Sequence, residues 1–131
     1  MRLVIIESPY AQNWRGISVD EHVSYARRAL KDSLSRGEAP IASHLLYTQP
    51  GVLDDLVVED RKLGIAAGLA WRRVAESAVF YADYGFSTGM LAALELYRRE
   101  GFPHETRWIG RELTHPSALC NTAPNTVQSN E

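Results

Sequence analysis

The stretch Ala78-Val79-Phe80-Tyr81-Ala82-Asp83-Tyr84-Gly85-Phe86-Ser87-Thr88-Gly89-Met90 decides the fold. Ala78 to Tyr81 is a continuous apolar run without alternation, the pattern of a strand covered on both faces, as in parallel sheets. Asp83-Tyr84-Gly85 ends it. Ser87 or Thr88 then caps a helix carrying Met90, Leu91, Leu94 and Tyr97, which stops before Gly101. A strand leading directly into a helix is the unit from which α/β domains are built.

The same unit recurs at the start of the chain. Leu3-Val4-Ile5-Ile6, ended by Glu7-Ser8-Pro9, predicts a second buried strand. Ser18 and Glu21 have capping-box spacing, and Val19, Val23, Ala26, Leu30 and Leu34 follow at helical intervals, with Gly37 as the C-cap. Pro40-Ile41-Ala42-Ser43 is a weaker strand, and His44 to Gly51 reads as an irregular loop. A helical pattern runs from about Leu53 to Ala75, broken near Val57 to Glu59. Gly64 and Gly68 in it each weaken the helix by about 1 kcal/mol against Ala, which close approach of another backbone would compensate. Thr106 to Ile109 is the expected last strand. From about Thr114 to Glu131 the chain lacks periodicity and reads as a mobile tail, so the domain is expected over 1–112 and the tail over 113–131.

The order β-α-β-α-β-α-β predicts a three-layer α/β/α domain with a parallel sheet of four to five strands. In such sheets ligands bind beyond the carboxyl ends of the strands, at the topological switch point. Three loops gather there: Ser8–Gly16, Ser43–Gln49 and Asp83–Gly89.

Composition narrows the function. A chain of 131 residues, 45% apolar, is the size of one domain with one core. Its single cysteine, Cys120, excludes an internal disulfide framework. No apolar run reaches the ~20 residues needed to span a bilayer, and the first residues lack a signal-peptide pattern, so a cytoplasmic protein with no membrane partner is expected. A net charge of −2 gives no footprint for nucleic acid. The four histidines (22, 44, 104 and 115) have no ligand spacing, so neither a metal nor a cofactor is expected.

In the 83–90 segment, the free N–H groups of a helix start favour an anion, Gly89 permits close approach of a phosphate, and Ser87 and Thr88 add hydroxyls. An ordinary cap with a turn glycine is the competing reading. Asp83 is a candidate for a ribose hydroxyl or for acid–base chemistry, and equally for a turn former. In the first loop Ser8, Pro9, Tyr10, Arg15 and Gly16 are candidates. Tyr10 or Trp14 would stack on a base and Arg15 would pair with phosphate, against partial burial of the aromatics and a solvated Arg. Ser43, His44 and Tyr47 offer a hydroxyl, an imidazole and a phenol. A lone histidine is more often structural. Arg72 and Arg73 read as solvated charge at a helix end.

The runs I-I-E-S-P-Y (5–10), P-I-A-S-H (40–44) and D-Y-G-F-S-T-G-M (83–90) resemble a family of uncharacterised phage and bacterial proteins, itself similar to the nucleoside 2-deoxyribosyltransferase-like superfamily. The resemblance covers about residues 3 to 109. It implies a flavodoxin-like sheet, a homodimer or larger homo-oligomer, and a nucleoside or nucleotide ligand. The sugar would lie near Asp83 and Tyr10 and a 5′-phosphate near Ser87 and Gly89, with Met90 in the same turn. Enzymes of the superfamily carry S-x-G-x-x-x-E, whose Glu attacks the anomeric carbon or stabilises its charge. Counting from Ser87 and Gly89, that position holds Ala93. Glu95 lies two residues on, about 200° around the helix, and faces away. Glu7 and Asp83 are the remaining carboxyl candidates.

Two readings of different class follow, with a blander third. One is a nucleotide-binding protein without the usual nucleophile, such as a phage protein sequestering a host signal of the cyclic ADP-ribose type. The other is an N-glycosidase or deoxyribosyltransferase using Glu7 or Asp83. A domain with a vestigial pocket is the third.

Overall fold

A computed structural model describes residues 1–10 and 14–110, with only the backbone of Trp14 among them. The expected tail, Cys120 within it, and the side chain of Trp14 lie outside the described residues.

Among the described residues four parallel strands, β1 (Arg2–Glu7), β2 (Glu38–Ile41), β3 (Ser77–Tyr81) and β4 (His104–Arg107), pair in the order β2-β1-β3-β4. The helices are α1 (Val19–Ser35), a single turn α2 (Ser43–Leu46), α3 (Val58–Ala70) and α4 (Thr88–Glu100), with short 3₁₀ turns at Trp14–Gly16 and Trp71–Arg73. The connection from β1 to β2 moves one way across the sheet, whereas β2 to β3 and β3 to β4 move the other. Right-handed crossovers then require α1 on one face and α3 and α4 on the opposite face. The two cores agree. Val4, Ile6, Val79 and Tyr81 pack with Tyr25 and Ala29 of α1, and Ile5, Ala78 and Phe80 pack with Met90, Ala93, Leu94 and Tyr97 of α4. Leu69 of α3 packs against the second core. This is the three-layer, flavodoxin-like arrangement.

Local chemistry explains the best-defined elements. β3 is buried throughout, as its unalternating run requires. Ser18 caps α1 by accepting a hydrogen bond from the Glu21 N–H, and Ser87 does the same for α4 from Met90. Gly37, at φ +83°, turns the chain out of α1 just after its Arg36 cap, a conformation that a side chain would strain.

Several expectations are corrected. The buried face of α1 is His22, Tyr25, Ala26, Ala29 and Ser33, while Leu34 is exposed. Polar anchors turn the helix: the Tyr25 hydroxyl bonds Asp83 and the Ser33 hydroxyl bonds Glu38. β2 and β4 each begin two residues earlier than the apolar pattern suggests. Pro40 lies within β2, where an edge strand tolerates its missing N–H. A helical turn, α2, stands where a loop was expected, and α3 begins only at Val58 because the preceding segment is tied in turns. The glycines of α3 face side chains and not another backbone. A Cβ on Gly68 would lie 2.3 Å from Ser43 Oγ, and one on Gly64 would lie 3.3 Å from Leu53 Cδ1.

Candidate functional site

The switch point lies between β1 and β3, where the chain leaves the sheet toward opposite faces. A cavity of about 230 Å³ opens there. Its wall combines Glu7 and Ser8 at the end of β1, Ser43 and His44 of α2, the Gly64–Gly68 face of α3, and Ser87, Gly89, Met90 and Ala93 at the start of α4. Arg61, Ile65, Gly89 and Ala92 are exposed and form the rim. A second, shallower depression of about 590 Å³ adjoins it and shares Tyr10, Thr48, Leu53, Asp55 and Asp60.

Each wall has a local cause. The capping bond of Ser87 fixes the first turn of α4, leaving the helix start beside the cavity. Gly68 lets α3 lie against α2, which holds His44 over the end of β1. The indole N–H of Trp71 donates to Tyr47 Oη at 3.0 Å and fastens α3 to the same segment. The acidic residues at the rim are mostly engaged in shaping it. Asp60 accepts from the Asp54 N–H, Asp54 accepts from the Leu56 N–H, and Asp55 pairs with Arg61 at 2.9 Å.

Two polar pairs face the cavity. Ser8 Oγ and His44 Nε2 share a hydrogen bond of 2.7 Å. Burial, with the nearby His22 adding to it, pulls the His44 pKa down to about 4, so its imidazole is neutral at physiological pH. Tyr10 meets His44 edge-on, with ring centroids 6.3 Å apart. The second pair is deeper. The Tyr97 hydroxyl of α4 donates to Glu7 Oε2 at 2.5 Å. Burial pushes the Glu7 carboxyl up from 4.5 to about 7, although the bond from Tyr97 works against that rise.

Of the residues singled out from sequence, Glu7, Ser8, Tyr10, Ser43, His44, Tyr47, Ser87, Gly89, Met90 and Ala93 meet in this cavity. The others stand elsewhere. Asp83 does not line it. Its carboxylate accepts from the Tyr25 hydroxyl and from the Ile109 and Gly110 N–H groups, which makes it a buried strand-end clamp. Arg15 donates to the Tyr84 carbonyl at 2.6 Å and sits at a left-handed φ of 56°, so its guanidinium is directed to the backbone and not to the cavity. Pro9 is fully buried, and Gly16 and Thr88 are exposed outside the cavity wall. Ala93 is in the wall, and Glu95 is exposed on the far side of α4 near Arg99. Arg72 is not simply solvated, since it pairs with Glu100 at 2.9 Å through a two-point contact.

Sequence reading missed Tyr97 as a polar partner and α3 as a cavity wall. The glycine spacing Gly64 to Gly68, four residues apart on one helical face, was the signal for the latter. Among the described residues no group of side chains is arranged to hold a metal ion. No helix among them is long and apolar enough to cross a membrane.

The family described as "Domain of unknown function (DUF7768)" matches residues 2–107. The chain belongs to this family. The DUF7768 match spans every strand and helix described above. No curated protein and no solved structure matches the chain.

Proposed function

We propose that this DUF7768 protein binds a nucleoside or nucleotide in the switch-point cavity, with a 5′-phosphate at the start of α4. The observation that carries the reading is the joint presence of the α4 helix start, Ser87 and Gly89 in one wall with hydroxyl and aromatic groups opposite. Exposed helix N–H groups and the helix dipole favour an anion. The sugar lies toward Ala93 and Glu7. The base extends past Tyr10 into the adjoining depression, because 230 Å³ is below the ~300–1,000 Å³ usual for small-molecule sites.

Ala93 favours retention of the ligand intact, as in a cytoplasmic phage protein that sequesters a host nucleotide signal. A homo-oligomer is part of the proposal. Val58, Leu63 and Ile65 of α3 are exposed, Ile65 at the cavity rim, apolar surface that a second copy would cover.

The test is calorimetric titration with ribo- and deoxyribonucleosides and their 5′-monophosphates, with mass spectrometry of small molecules released from the purified protein. The monophosphates should bind more tightly than the nucleosides. Gly89→Val should abolish that preference without loss of stability, since a Cβ at Gly89 meets no protein atom within 4 Å. Equal binding of nucleoside and nucleotide, or no binding of either, would overturn the reading.

A further inference from the structure

Glu7 differs from the other carboxylates held inside this protein in having no structural partner that requires an acid. Glu38 is gripped by Arg107, and Asp83 receives two backbone N–H groups and a hydroxyl. Glu7 receives one hydroxyl, from Tyr97 on Oε2, and among the described residues Oε1 accepts no hydrogen bond. It also lines the cavity, in a wall where Met90 and Ala93 are apolar. An oxygen left unpaired in such a wall is costly, and groups of this kind concentrate where a ligand completes them.

We propose that Glu7 is the specificity-determining residue of this cavity: its free oxygen receives the 2′-hydroxyl of the sugar and selects ribonucleotides over 2′-deoxyribonucleotides. The inference rests on the nucleotide reading above. An ionised carboxyl repels phosphate, so Glu7 faces an uncharged part of the ligand. In ribose the base and the 5′-carbon leave one face of the ring, and the 2′- and 3′-hydroxyls leave the other. Gly89 is exposed at the cavity rim, and Tyr10 leads into the adjoining depression. A phosphate at Gly89 and a base at Tyr10 therefore draw the first face outward and turn the two hydroxyls inward, toward Glu7. Dinucleotide-binding sheets likewise use one acidic side chain for a ribose 2′-hydroxyl. Resemblance to deoxyribosyltransferases points the other way, toward a sugar that lacks this group.

Ionisation strengthens the contact, because a charged acceptor holds a hydroxyl about twice as strongly as a neutral one. The Glu7 carboxyl titrates near 7, so the preference for ribose grows across that pH. Among the described residues no cation pairs with it. His44 across the cavity is neutral, Arg61 at the rim pairs with Asp55, and Arg72 is committed to Glu100, acting on the Tyr97 hydroxyl and not on Glu7. His104 of β4 meets the Tyr97 ring, 6.5 Å between centroids, and lies outside the cavity wall. Asp55 and Asp60 stand at the rim. Glu7 is thus free to answer the sugar.

The experiment titrates full-length protein by calorimetry with the 5′-monophosphates of adenosine, guanosine, cytidine and uridine, each with a ribo, 2′-deoxyribo and arabino sugar. For the base that binds best, the ribonucleotide should bind roughly 10-fold or more tightly than its deoxy partner. The arabino form, whose 2′-hydroxyl leaves the opposite face, should bind like the deoxy form. The ribo-to-deoxy ratio should grow as pH rises through about 7, and the phosphate, common to both, cancels from it. Glu7→Leu should bring the ribonucleotide down to the affinity of its deoxy partner, and Glu7→Gln should make the ratio independent of pH. Tyr97→Phe removes the donor that favours ionised Glu7, so the growth should move to higher pH, which a merely structural tyrosine would not produce. Should the Glu7 variants not fold, the arabino comparison and the pH profile of the wild type decide. Tight binding with no ribose preference would overturn the role of Glu7 and leave the nucleotide pocket standing. A preference that survives Glu7→Leu, a wild-type ratio level with pH, or an arabino form that binds like the ribose would also overturn it. Absence of any binding would remove both.

Discussion

Tyr97, on α4, donates its hydroxyl hydrogen to Glu7 Oε2 at 2.5 Å, joining the second wall of the cavity to the end of β1. Ala93 lies one helical turn before Tyr97, so the pair sits beneath the position where α4 offers a methyl. The acid in this site thus comes from a strand, and the helix contributes only the group that orients it. That division has a consequence for stability as well as for chemistry.

Glu7→Gln should make the protein more stable in alkaline solution. A carboxyl raised from 4.5 to about 7 on folding is protonated in the folded chain while the unfolded chain has already lost its proton. Its contribution is complete below about 4.5 and is lost as pH rises through about 7. At about 1.4 kcal/mol per pH unit, the loss is about 3–4 kcal/mol. The neutral amide escapes it and still accepts from Tyr97. Urea unfolding at pH 4 and pH 8 checks this: wild type and variant should be nearly alike at pH 4, with the variant ahead by about 3 kcal/mol at pH 8. A gap of equal size at both values would show that Glu7 does not titrate as described.

Asp83→Asn should damage the fold and spare the cavity. Asp83 clamps the chain after β4 by accepting from the Ile109 and Gly110 N–H groups at 2.8 Å each, and from the Tyr25 hydroxyl at 2.6 Å. An asparagine turns an NH₂ group toward one of these donors, leaving it without an acceptor at a cost of about 1–3 kcal/mol. Denaturation midpoints should fall accordingly, whereas nucleotide affinity measured on folded protein should stay unchanged. Loss of affinity without loss of stability would place Asp83 at the ligand after all.

Gly68→Ala would ordinarily strengthen a helix by about 1 kcal/mol. Here it should weaken the protein, because the new Cβ would lie 2.3 Å from Ser43 Oγ and 3.0 Å from Ser43 Cβ. Forcing α2 away from α3 should cost about 1–3 kcal/mol and shift His44 from Ser8. Combining it with Ser43→Gly removes both opposing atoms, and a double-mutant cycle should show the second change restoring most of the first loss. Additive losses would mean that the contact is not what excludes a side chain at this position.

Much of this architecture was legible because it depends on local signals. The unalternating runs at 3–6 and 78–81 mark the two central strands, and Ser18 and Ser87 mark helix starts through bonds that span three residues. The edge strands were misplaced because their ends are set by distant partners. Glu38 begins β2 as a buried acid, which no apolar pattern announces, and Arg107, 69 residues away, supplies the two-point contact that makes that burial tolerable. Tyr97 read as one more apolar residue of α4 for the same reason, since its hydroxyl partner stands 90 residues earlier. Arg15 and Asp83 looked chemical in sequence, but their charges answer backbone groups that become neighbours only after folding.

The Arg107–Glu38 pair joins the two edge strands, and breaking one side of it should be the most damaging of these changes. Arg107 meets both Glu38 oxygens, at 2.9 and 2.6 Å, and also reaches the Tyr81 hydroxyl and Glu105. Both side chains of the pair are less than one-tenth exposed, 8% and 9%. Arg107→Met leaves a buried carboxylate with only Ser33 and a distant Arg2, and should cost about 3–5 kcal/mol. Adding Glu38→Met removes the stranded charge, so the double variant should recover much of that loss. The pH dependence separates the cases further. The hydrogen bonds from Arg107 hold the Glu38 carboxyl below 4.5, so its contribution is present above 4.5 and fades as pH falls through the lower folded value. Chemical denaturation from pH 6 down to pH 3 should show that decline in wild type, and the double variant should lack the part due to Glu38. Identical acid slopes in the two proteins would show that the pair is not what ties acid stability to the sheet edges.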